Sequence, residues 1–209
     1  MTQLYFVRHG VTVWNEEGRW QGQTDIELNS TGIAQAEAAA ERLAQIPFSA
    51  MYSSDLSRAL DTAKTIAQRQ EGTVVATKSW RERNAGVFEG MTSDQIKIDY
   101  PEAYDEMMDG FLEPPEGESF TEFTSRVEVE LQRLIEKHPD DTVLVVSHGG
   151  TIRAVASVIL GVPQNKTWAC QVGNTGISLF EYNQRGWQME YWNDTQHIES
   201  DSGFKGLQL

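Results

Sequence analysis

Two histidines stand at corresponding places in this chain, each just after an apolar run that predicts a buried strand. Arg8-His9 follows the apolar residues 4–7, Ser147-His148 follows the apolar residues 143–146, and a glycine comes directly after each histidine. Ligands of open α/β sheets bind outside the carboxyl ends of the strands. We therefore expect the two turns to form halves of one site. The alternative, two loop histidines with no joint role, leaves the repeated arrangement unexplained.

Two arginines are expected beside these histidines. Arg8 directly precedes His9, and Arg58 lies in the first turn of the helix predicted after the second strand. A guanidinium is permanently charged, and its fork matches phosphate oxygens two at a time. Two arginines and two histidines in one pocket therefore indicate an oxyanion site, most simply a phosphoryl site, although Arg58 could also be an ordinary surface residue.

Phosphoryl transfer needs positive charge, an in-line nucleophile and a proton for the leaving oxygen. One imidazole can be the nucleophile and give a phosphohistidine. The second can stay protonated beside the phosphate. Glu82 is the best candidate for the acid, because it follows a predicted strand in a short glycine-bearing loop. Its neighbours Arg81 and Arg83 are expected to favour the ionised carboxylate, which counts against this role unless bound phosphate offsets them.

Metal and serine chemistry are less well supported. A catalytic zinc site needs three protein ligands with compatible spacing, and the arginines beside these histidines would repel a cation. The Gly-x-Ser-x-Gly motif of serine hydrolases is absent from the sequence. We predict no metal and no other cofactor.

The elements that would position these residues follow from the hydrophobic spacing. Strands are predicted at 4–7, 48–52, 73–77 and 142–146, and helices over about 30–45, from about 53, over 119–137 and over 151–160. Residues 11–25 are expected to form an irregular loop. Segments 176–182 and 187–192 predict a hairpin, which could pair across a homodimer or form an internal edge.

Residues 91 to about 122 differ in composition from the rest of the chain. Acidic residues dominate, Lys97 is the one base, and prolines and glycines interrupt the segment. Short helices are predicted near 92–99 and 101–109. We interpret the segment as a cap insertion over the site, within a single domain that spans residues 1–209.

Composition excludes several function classes. The formal net charge of −14 argues against binding to nucleic acid or to a membrane surface. The N-terminus lacks the basic region of a signal peptide, and no apolar stretch is long enough to span a membrane. The single Cys170 fits a reducing compartment, so a cytoplasmic protein is expected. The two remaining histidines are predicted outside the site, His138 at the surface and His197 in a structural or exposed position.

The assembled residues resemble the histidine phosphatase superfamily, also called the phosphoglycerate mutase-like family. The first block is residues 4–15, with Arg8-His9-Gly10. The later blocks follow in family order over residues 4 to about 160: Gln21-Gly22 with Asp25, Leu28 and Gly32; Ser53 to Ala63 with Arg58; Glu82 with Gly86 and Glu89-Gly90; Gly117-Glu118-Ser119 with Arg126; and Ser147-His148-Gly149-Gly150.

The resemblance implies a role for each matched residue. His9 would be the phosphorylated nucleophile, while Arg8, Arg58 and His148 would hold the phosphoryl group. Glu82 would be the acid and then the base for water. Further phosphate and water contacts would come from Asn15, Gln21, Gly22 and Gly149. The implied fold is an α/β three-layer α/β/α sandwich, with a mostly parallel sheet and helices on both faces, and the family needs no metal.

The family contains phosphatases and mutases. Mutases carry a tyrosine where this chain has Ala85, and a longer insertion with paired arginines where this chain has only Lys97. Both departures favour a phosphatase that acts on a small phosphorylated metabolite, similar to the small broad-specificity bacterial enzymes and the ribazole-phosphate phosphatases. A cofactor-dependent phosphoglycerate mutase and an inactive phospho-ligand binding module stay open as alternatives.

The composition of the cap suggests a substrate preference. Its acidic side chains and its aromatic residues (Tyr100, Tyr104, Phe111 and Phe120) would suit a neutral, cationic or apolar leaving group. A solvated helix surface explains the same composition equally well.

Overall fold

The computed structural model describes residues 1–110 and 113–198. Its centre is a six-stranded sheet with the strand order β3-β2-β4-β1-β5-β6. The strands are β1 (Thr2–Arg8), β2 (Ala50–Ser54), β3 (Val74–Thr77), β4 (Thr142–Ser147), β5 (Ile177–Asn183) and β6 (Gly186–Asp194). Strands β3, β2, β4 and β1 are parallel, whereas β5 runs antiparallel to β1, and β6 antiparallel to β5.

Helices cover both faces of the sheet. They are α1 (Val13–Glu16), α2 (Ser30–Leu43), α3 (Ser57–Gln68), α4 (Ser93–Asp99), α5 (Pro101–Met108), α6 (Phe120–Lys137) and α7 (Gly149–Leu160). Alternate side chains of a strand point to opposite faces. Accordingly, Leu4 and Phe6 of β1 pack with α6 and α7, and Tyr5 and Val7 pack with α2 and α3. The predicted α/β sandwich with a mostly parallel sheet is confirmed.

Several element boundaries differ from the sequence prediction. Strand β1 extends over Thr2–Arg8 rather than 4–7, and helix α3 begins at Ser57 rather than at about 53. Strand β2 begins at Ala50 rather than at Phe48 and continues to Ser54. The two serines at its end are buried, which their polarity did not indicate. Helix α7 begins at Gly149, two residues earlier than predicted, so that His148 is its N-cap residue. The predicted loop 11–25 contains one helical turn, α1, closed by a capping box between Thr12 and Asn15.

The acidic segment forms the two predicted short helices, α4 and α5. They pack through Ile96, Tyr104 and Met107 against Ala85 and Phe88, and not against the central sheet. The segment is thus attached to the loop that carries Glu82. Phe111 lies outside the described residues. Among residues 1–110 and 113–198, no helix is both long enough and apolar enough to cross a membrane.

Candidate active site

Three neighbouring parallel strands bring the predicted site residues together. Strands β2, β4 and β1 are adjacent, and Arg8 at the end of β1 pairs in register with Ser147 at the end of β4. His9 and His148 therefore leave the same edge of the sheet on adjacent strands. Arg58 enters from the first turn of α3, which follows β2. The site thus lies at the carboxyl ends of the strands, where the sequence predicted it.

The His9 ring is fixed in one tautomer by its own backbone. Its Nδ1 lies 2.7 Å from the carbonyl oxygen of Gly10. A carbonyl can only accept a hydrogen bond, so Nδ1 carries the proton and Nε2 carries the lone pair. The residue is 3% exposed, and its ring centroid lies 5.2 Å from that of His148. Nε2 is therefore the nitrogen of His9 that is available as a nucleophile.

His148 is buried at the N-terminus of α7. Neither of its ring nitrogens has a hydrogen-bond partner within the described part of the chain. Burial lowers the pKa of both His9 and His148 well below 6.5, and repulsion from Arg58 lowers both further. Both rings are therefore neutral at neutral pH in the ligand-free protein. Neutral His9 is suited to nucleophilic attack, and a bound phosphoryl anion would favour protonation of His148.

Arg8 and Arg58 are held by backbone carbonyl groups. Arg8 donates from Nη1 to the carbonyl of Val172 (2.6 Å), and Arg58 donates to the carbonyls of Gly22 and Thr24 (both 2.8 Å). The Nε of each arginine is buried without a partner among the described residues. Burial lowers the pKa of each arginine to about 10, so both stay charged at neutral pH. This arrangement leaves donors and positive charge for an anion.

The Glu82 carboxylate lies at the N-terminus of α7. Its two oxygens accept hydrogen bonds from the backbone N–H of Arg83 and that of Gly150, both at 2.8 Å. A Cβ at Gly150 would come within 2.3 Å of Glu82 Oε1, so glycine at this position makes room for the carboxylate. Glu82 therefore reaches the helix end that begins with His148.

The two arginines that flank Glu82 in sequence form ion pairs with other carboxylates. Arg81 forms a two-pronged pair with Asp55 at 2.6 and 2.7 Å. Arg83 pairs with Glu113 at 2.9 Å. Alternating side chains of an extended segment point in different directions, so neighbours of Glu82 in sequence bind different carboxylates in space.

The loop that carries Glu82 is anchored through its backbone carbonyl groups. Arg126 donates to the carbonyls of Ser79 and Arg81 at 2.9 and 3.0 Å, and it also pairs with Glu118 through two hydrogen bonds. The Trp80 carbonyl accepts from the Ser147 hydroxyl, and the Arg81 carbonyl accepts also from the Thr151 hydroxyl. Helices α6 and α7 and strand β4 thus hold this loop together.

The predicted phosphate contacts lie around this site, with different local roles. The Gln21 Oε1 atom is buried without a partner in the described structure. Asn15 uses its Oδ1 in the capping box and in a 3.4 Å contact with Asn174. Gly22 supplies the carbonyl that holds Arg58. A Cβ at Gly149 would lie 3.4 Å from Arg8 Nε, so this glycine contacts the guanidinium.

Two residues near the site were not predicted from the sequence. The Asn174 side chain donates to the His9 carbonyl at 3.0 Å. Arg153, on α7, donates from Nε to the Cys170 carbonyl at 3.1 Å. Asn174 lies in a loop with no strand-end histidine to mark it. Arg153 lies one turn after Gly149-Gly150, and this helical spacing was the available signal.

Comparison with known proteins places the whole arrangement in a family. The family model of the histidine phosphatase superfamily (branch 1) matches residues 4–195. The chain belongs to this superfamily. A probable phosphoglycerate mutase from Yersinia pestis is 34% identical over 206 residues, which cover 95% of this chain and 96% of that protein.

Solved structures show the same fold. A mutant phosphoserine phosphatase from Entamoeba histolytica in complex with phosphoserine has a TM-score of 0.87 and 32% identity, and the match covers 95% of this chain and 100% of that one. A mycobacterial glucosyl-3-phosphoglycerate phosphatase with VO3 has a TM-score of 0.85 and 31% identity, with 92% and 99% covered. The chain therefore belongs to a superfamily of enzymes, and its relatives include both phosphatases and a probable mutase.

Proposed function

We propose that this histidine phosphatase superfamily member is a cytoplasmic phosphomonoester hydrolase that acts on small phosphorylated metabolites through a phosphohistidine at His9, without a metal. The observation that carries the proposal is the fixed His9 tautomer, which leaves Nε2 free. This nitrogen lies beside His148 and beside Arg8 and Arg58, which have no carboxylate partner among the described residues. The arginines and His148 can bind an oxyanion, and His9 can serve as the in-line nucleophile.

In the first step, the lone pair of His9 Nε2 attacks phosphorus, and the bond between phosphorus and the leaving oxygen breaks. Glu82, protonated at this stage, gives its proton to the leaving oxygen. Arg8, Arg58 and His148 stabilise charge on the equatorial oxygens. The hydrogen bond from Nδ1 to the Gly10 carbonyl continues to hold the ring after Nε2 is phosphorylated.

In the second step, water attacks the phosphohistidine. The Glu82 carboxylate takes a proton from this water, the bond between nitrogen and phosphorus breaks, and the electron pair returns to His9 Nε2. Inorganic phosphate leaves. In this scheme Gln21 and Asn15 contact the phosphoryl group or the attacking water, and the buried Gln21 Oε1 without a partner supports that placement.

The mutase alternative has one specific observation in its favour, the name of the Yersinia pestis relative, a probable phosphoglycerate mutase. Against it stands Ala85, which is 4% exposed and packs with Phe88 and Ile96 in the small core beneath α4 and α5. The Ala85 side chain carries no polar group that could hold a substrate. We therefore favour hydrolysis over transfer to a second substrate position.

The test is phosphate release from a panel of monoesters in excess chelator, with wild-type protein beside His9→Ala. The panel contains p-nitrophenyl phosphate, sugar phosphates, phosphoserine, 3-phosphoglycerate and a ribazole phosphate. We expect release that survives the chelator and disappears in the variant. Rapid quenching in alkaline detergent should show phosphate bound to wild-type protein through a linkage that is stable in base and is lost on acid treatment.

Release that requires an added divalent cation, or that persists in His9→Ala, would contradict the proposal. Absence of release from every ester would favour the mutase. That alternative is measured as conversion of 3-phosphoglycerate to 2-phosphoglycerate with bisphosphoglycerate present. Binding of the esters without either reaction would identify an inactive phospho-ligand binding module.

A further inference from the structure

A third arginine, Arg153, lies beside the proposed phosphoryl site. Helical residues three and four positions apart share a face, so Arg153 lies on the face of α7 that carries Gly149 and Gly150. Gly149 adjoins the Arg8 guanidinium, and Gly150 binds Glu82. A long helical side chain also leans towards the N-terminus of its helix, which here is the end at the site.

Its backbone anchor confirms this location. Arg153 donates to the Cys170 carbonyl, and Arg8 donates to the Val172 carbonyl two residues further along the same segment. The two guanidinium groups are therefore neighbours. The electrostatics of Arg8 agree with this, because burial first and then repulsion from Arg153 lower the pKa of Arg8.

Arg153 has no ion pair among the described residues, which is unusual for a largely buried arginine. In the described parts of the chain, the arginines with carboxylate partners are Arg19, Arg42, Arg69, Arg81, Arg83, Arg126 and Arg133. Arg8, Arg58 and Arg153 have none within 4 Å there, and all three converge on the site. Nη1 and Nη2 of Arg153 have no protein partner in the described structure, nor are they sealed from solvent.

A phosphoryl group accounts for Arg8 and Arg58, but not for Arg153. Glu82 protonates the leaving oxygen in the proposed reaction, so the leaving group lies on the Glu82 side. Glu82 is also the carboxylate whose charge acts most on Arg153. An acidic substituent of the leaving group would consequently come within reach of the two terminal nitrogens.

We propose that Arg153 binds a carboxylate on the leaving group, so that the preferred substrates are phosphorylated carboxylic acids. The inference rests on the proposed function for the position of the leaving group. A guanidinium and a carboxylate form a two-pronged, charge-assisted pair, which a hydroxyl on the same carbon skeleton cannot replace.

Three acidic residues of the cap have partners of their own within the protein. Glu113 pairs with Arg83, and Glu118 pairs with Arg126. Glu122 accepts two hydrogen bonds from Ser119 in the capping box of α6. These carboxylates are engaged within the protein. Tyr100 packs edge-on against Phe88, and Tyr104 lies under the Lys97 ammonium group, so both rings also contribute to the cap itself.

The test compares 3-phosphoglycerate with glycerol 3-phosphate, which has a hydroxymethyl group in place of the carboxylate. Calorimetry on His9→Ala protein measures the affinity for both compounds without turnover. We expect His9→Ala to prefer 3-phosphoglycerate and the double variant with Arg153→Gln to lose about tenfold to a hundredfold of that preference. Arg153→Lys should retain part of it. Arg185→Gln, which removes an exposed arginine in the β5–β6 turn, should retain all of it.

Equal losses for both compounds, or no preference in His9→Ala protein, would overturn the assignment of Arg153. Phosphate release by wild-type protein is measured separately and decides the proposed hydrolysis. A wild-type protein that hydrolyses p-nitrophenyl phosphate but shows no Arg153-dependent preference retains the proposed function and loses only this inference. An Arg153-dependent preference for the carboxylate without any hydrolysis would support the binding role of Arg153 and contradict the proposed hydrolysis.

Discussion

The two histidines show how burial and hydrogen bonding assign different roles to identical side chains. His9 has one nitrogen fixed on a carbonyl and the other free, whereas His148 has no partner at either nitrogen in the described chain. An unpartnered buried imidazole is costly in the free protein. A phosphoryl oxygen would supply the missing acceptor once His148 takes up a proton. The residue is thus better matched to the bound state than to the free state.

The lowered pKa of His148 predicts how stability depends on pH. An unfolded histidine binds a proton below about pH 6.5, whereas folded His148 stays neutral until well below that value. The unfolded state therefore binds more protons in this window, and the free energy of unfolding falls as pH drops below about 6.5. His148→Gln should flatten this fall by up to about 1.4 kcal/mol per pH unit. Urea titrations at pH 7.5, 6.5 and 5.5 in phosphate-free buffer measure it.

His9 also has a lowered pKa and still contributes to the pH dependence of the free energy of unfolding in His148→Gln protein. The slope of that free energy against pH therefore decreases in the variant but does not vanish. Parallel pH dependences for wild-type and His148→Gln protein would contradict the prediction, because they would show that His148 takes up its proton over the same pH range in the folded and the unfolded state. Saturating phosphate should reduce the difference between them, because the bound anion favours the cationic ring.

Residue types and strand ends predicted the central set of site residues, but not their partners. Arg8, His9, Arg58 and His148 converge because the chain places each at the end of a parallel strand or in the turn that follows one. Arg81 and Arg83 were expected to act on Glu82 because they are adjacent to it in sequence. In the structure they form ion pairs with Asp55 and Glu113, which are distant in sequence. His138 was predicted at the surface, but the turn at Pro139 folds its ring onto Tyr52, where it is buried. Such pairings depend on tertiary packing, which spacing does not encode.

At the scale of elements, the loop over residues 79–84 is the part that must be held still for acid catalysis. Helix α6 reaches it through Arg126, and α7 reaches it through Thr151 and Gly150. The sequence predicted both helices and the glycine-bearing loop. It did not predict that the side chain of Arg126 would bond to the loop's carbonyl groups, because arginine on a helix is usually exposed.

Arg126 is accordingly predicted to be a positioning residue for Glu82. Arg126→Gln removes the pair with Glu118 and the bonds to the loop, so the Glu82 carboxylate should lose its fixed position. An alkyl phosphate needs the proton from Glu82, whereas p-nitrophenolate leaves without one. We expect kcat to fall by about tenfold to a hundredfold for glycerol 3-phosphate and markedly less for p-nitrophenyl phosphate. Steady-state kinetics on both esters measure the difference.

Arg133→Gln is the matched control, since Arg133 lies on the same helix with its side chain 68% exposed beside Glu130. It should leave both rates within about twofold, as an exposed pair contributes little. If Arg126→Gln slowed the two esters equally, the residue would act on folding or on phosphate binding rather than on the acid. A thermal melt of each variant separates loss of folded protein from loss of rate.

At the scale of the whole molecule, a positive site is set within a negative protein. The formal net charge is −14, while Arg8, Arg58 and Arg153 gather without paired carboxylates at one edge of the described sheet. Burial lowers the pKa of each of these arginines, and repulsion from Arg153 and Arg58 lowers the pKa of Arg8 further. The fold therefore holds the cations together through packing and backbone carbonyls, and an anion would relieve the repulsion.

This arrangement predicts strong stabilisation by inorganic phosphate. A ligand at a hundred times its Kd adds about 2.7 kcal/mol to the free energy of unfolding. For a chain of this size, that free energy corresponds to a rise in Tm of roughly 5–10 °C. Arg58→Gln should abolish most of the rise, because Arg58 Nε is one of the unpartnered donors at the site. Arg185→Gln should preserve the rise in Tm, because it changes the net charge by the same amount as Arg58→Gln but lies at an exposed position in the β5–β6 turn. A phosphate-dependent Tm that shifts equally in both variants would place the anion elsewhere on the surface. A shift lost only in Arg58→Gln would tie the stability of the whole domain to occupation of this one edge of the sheet.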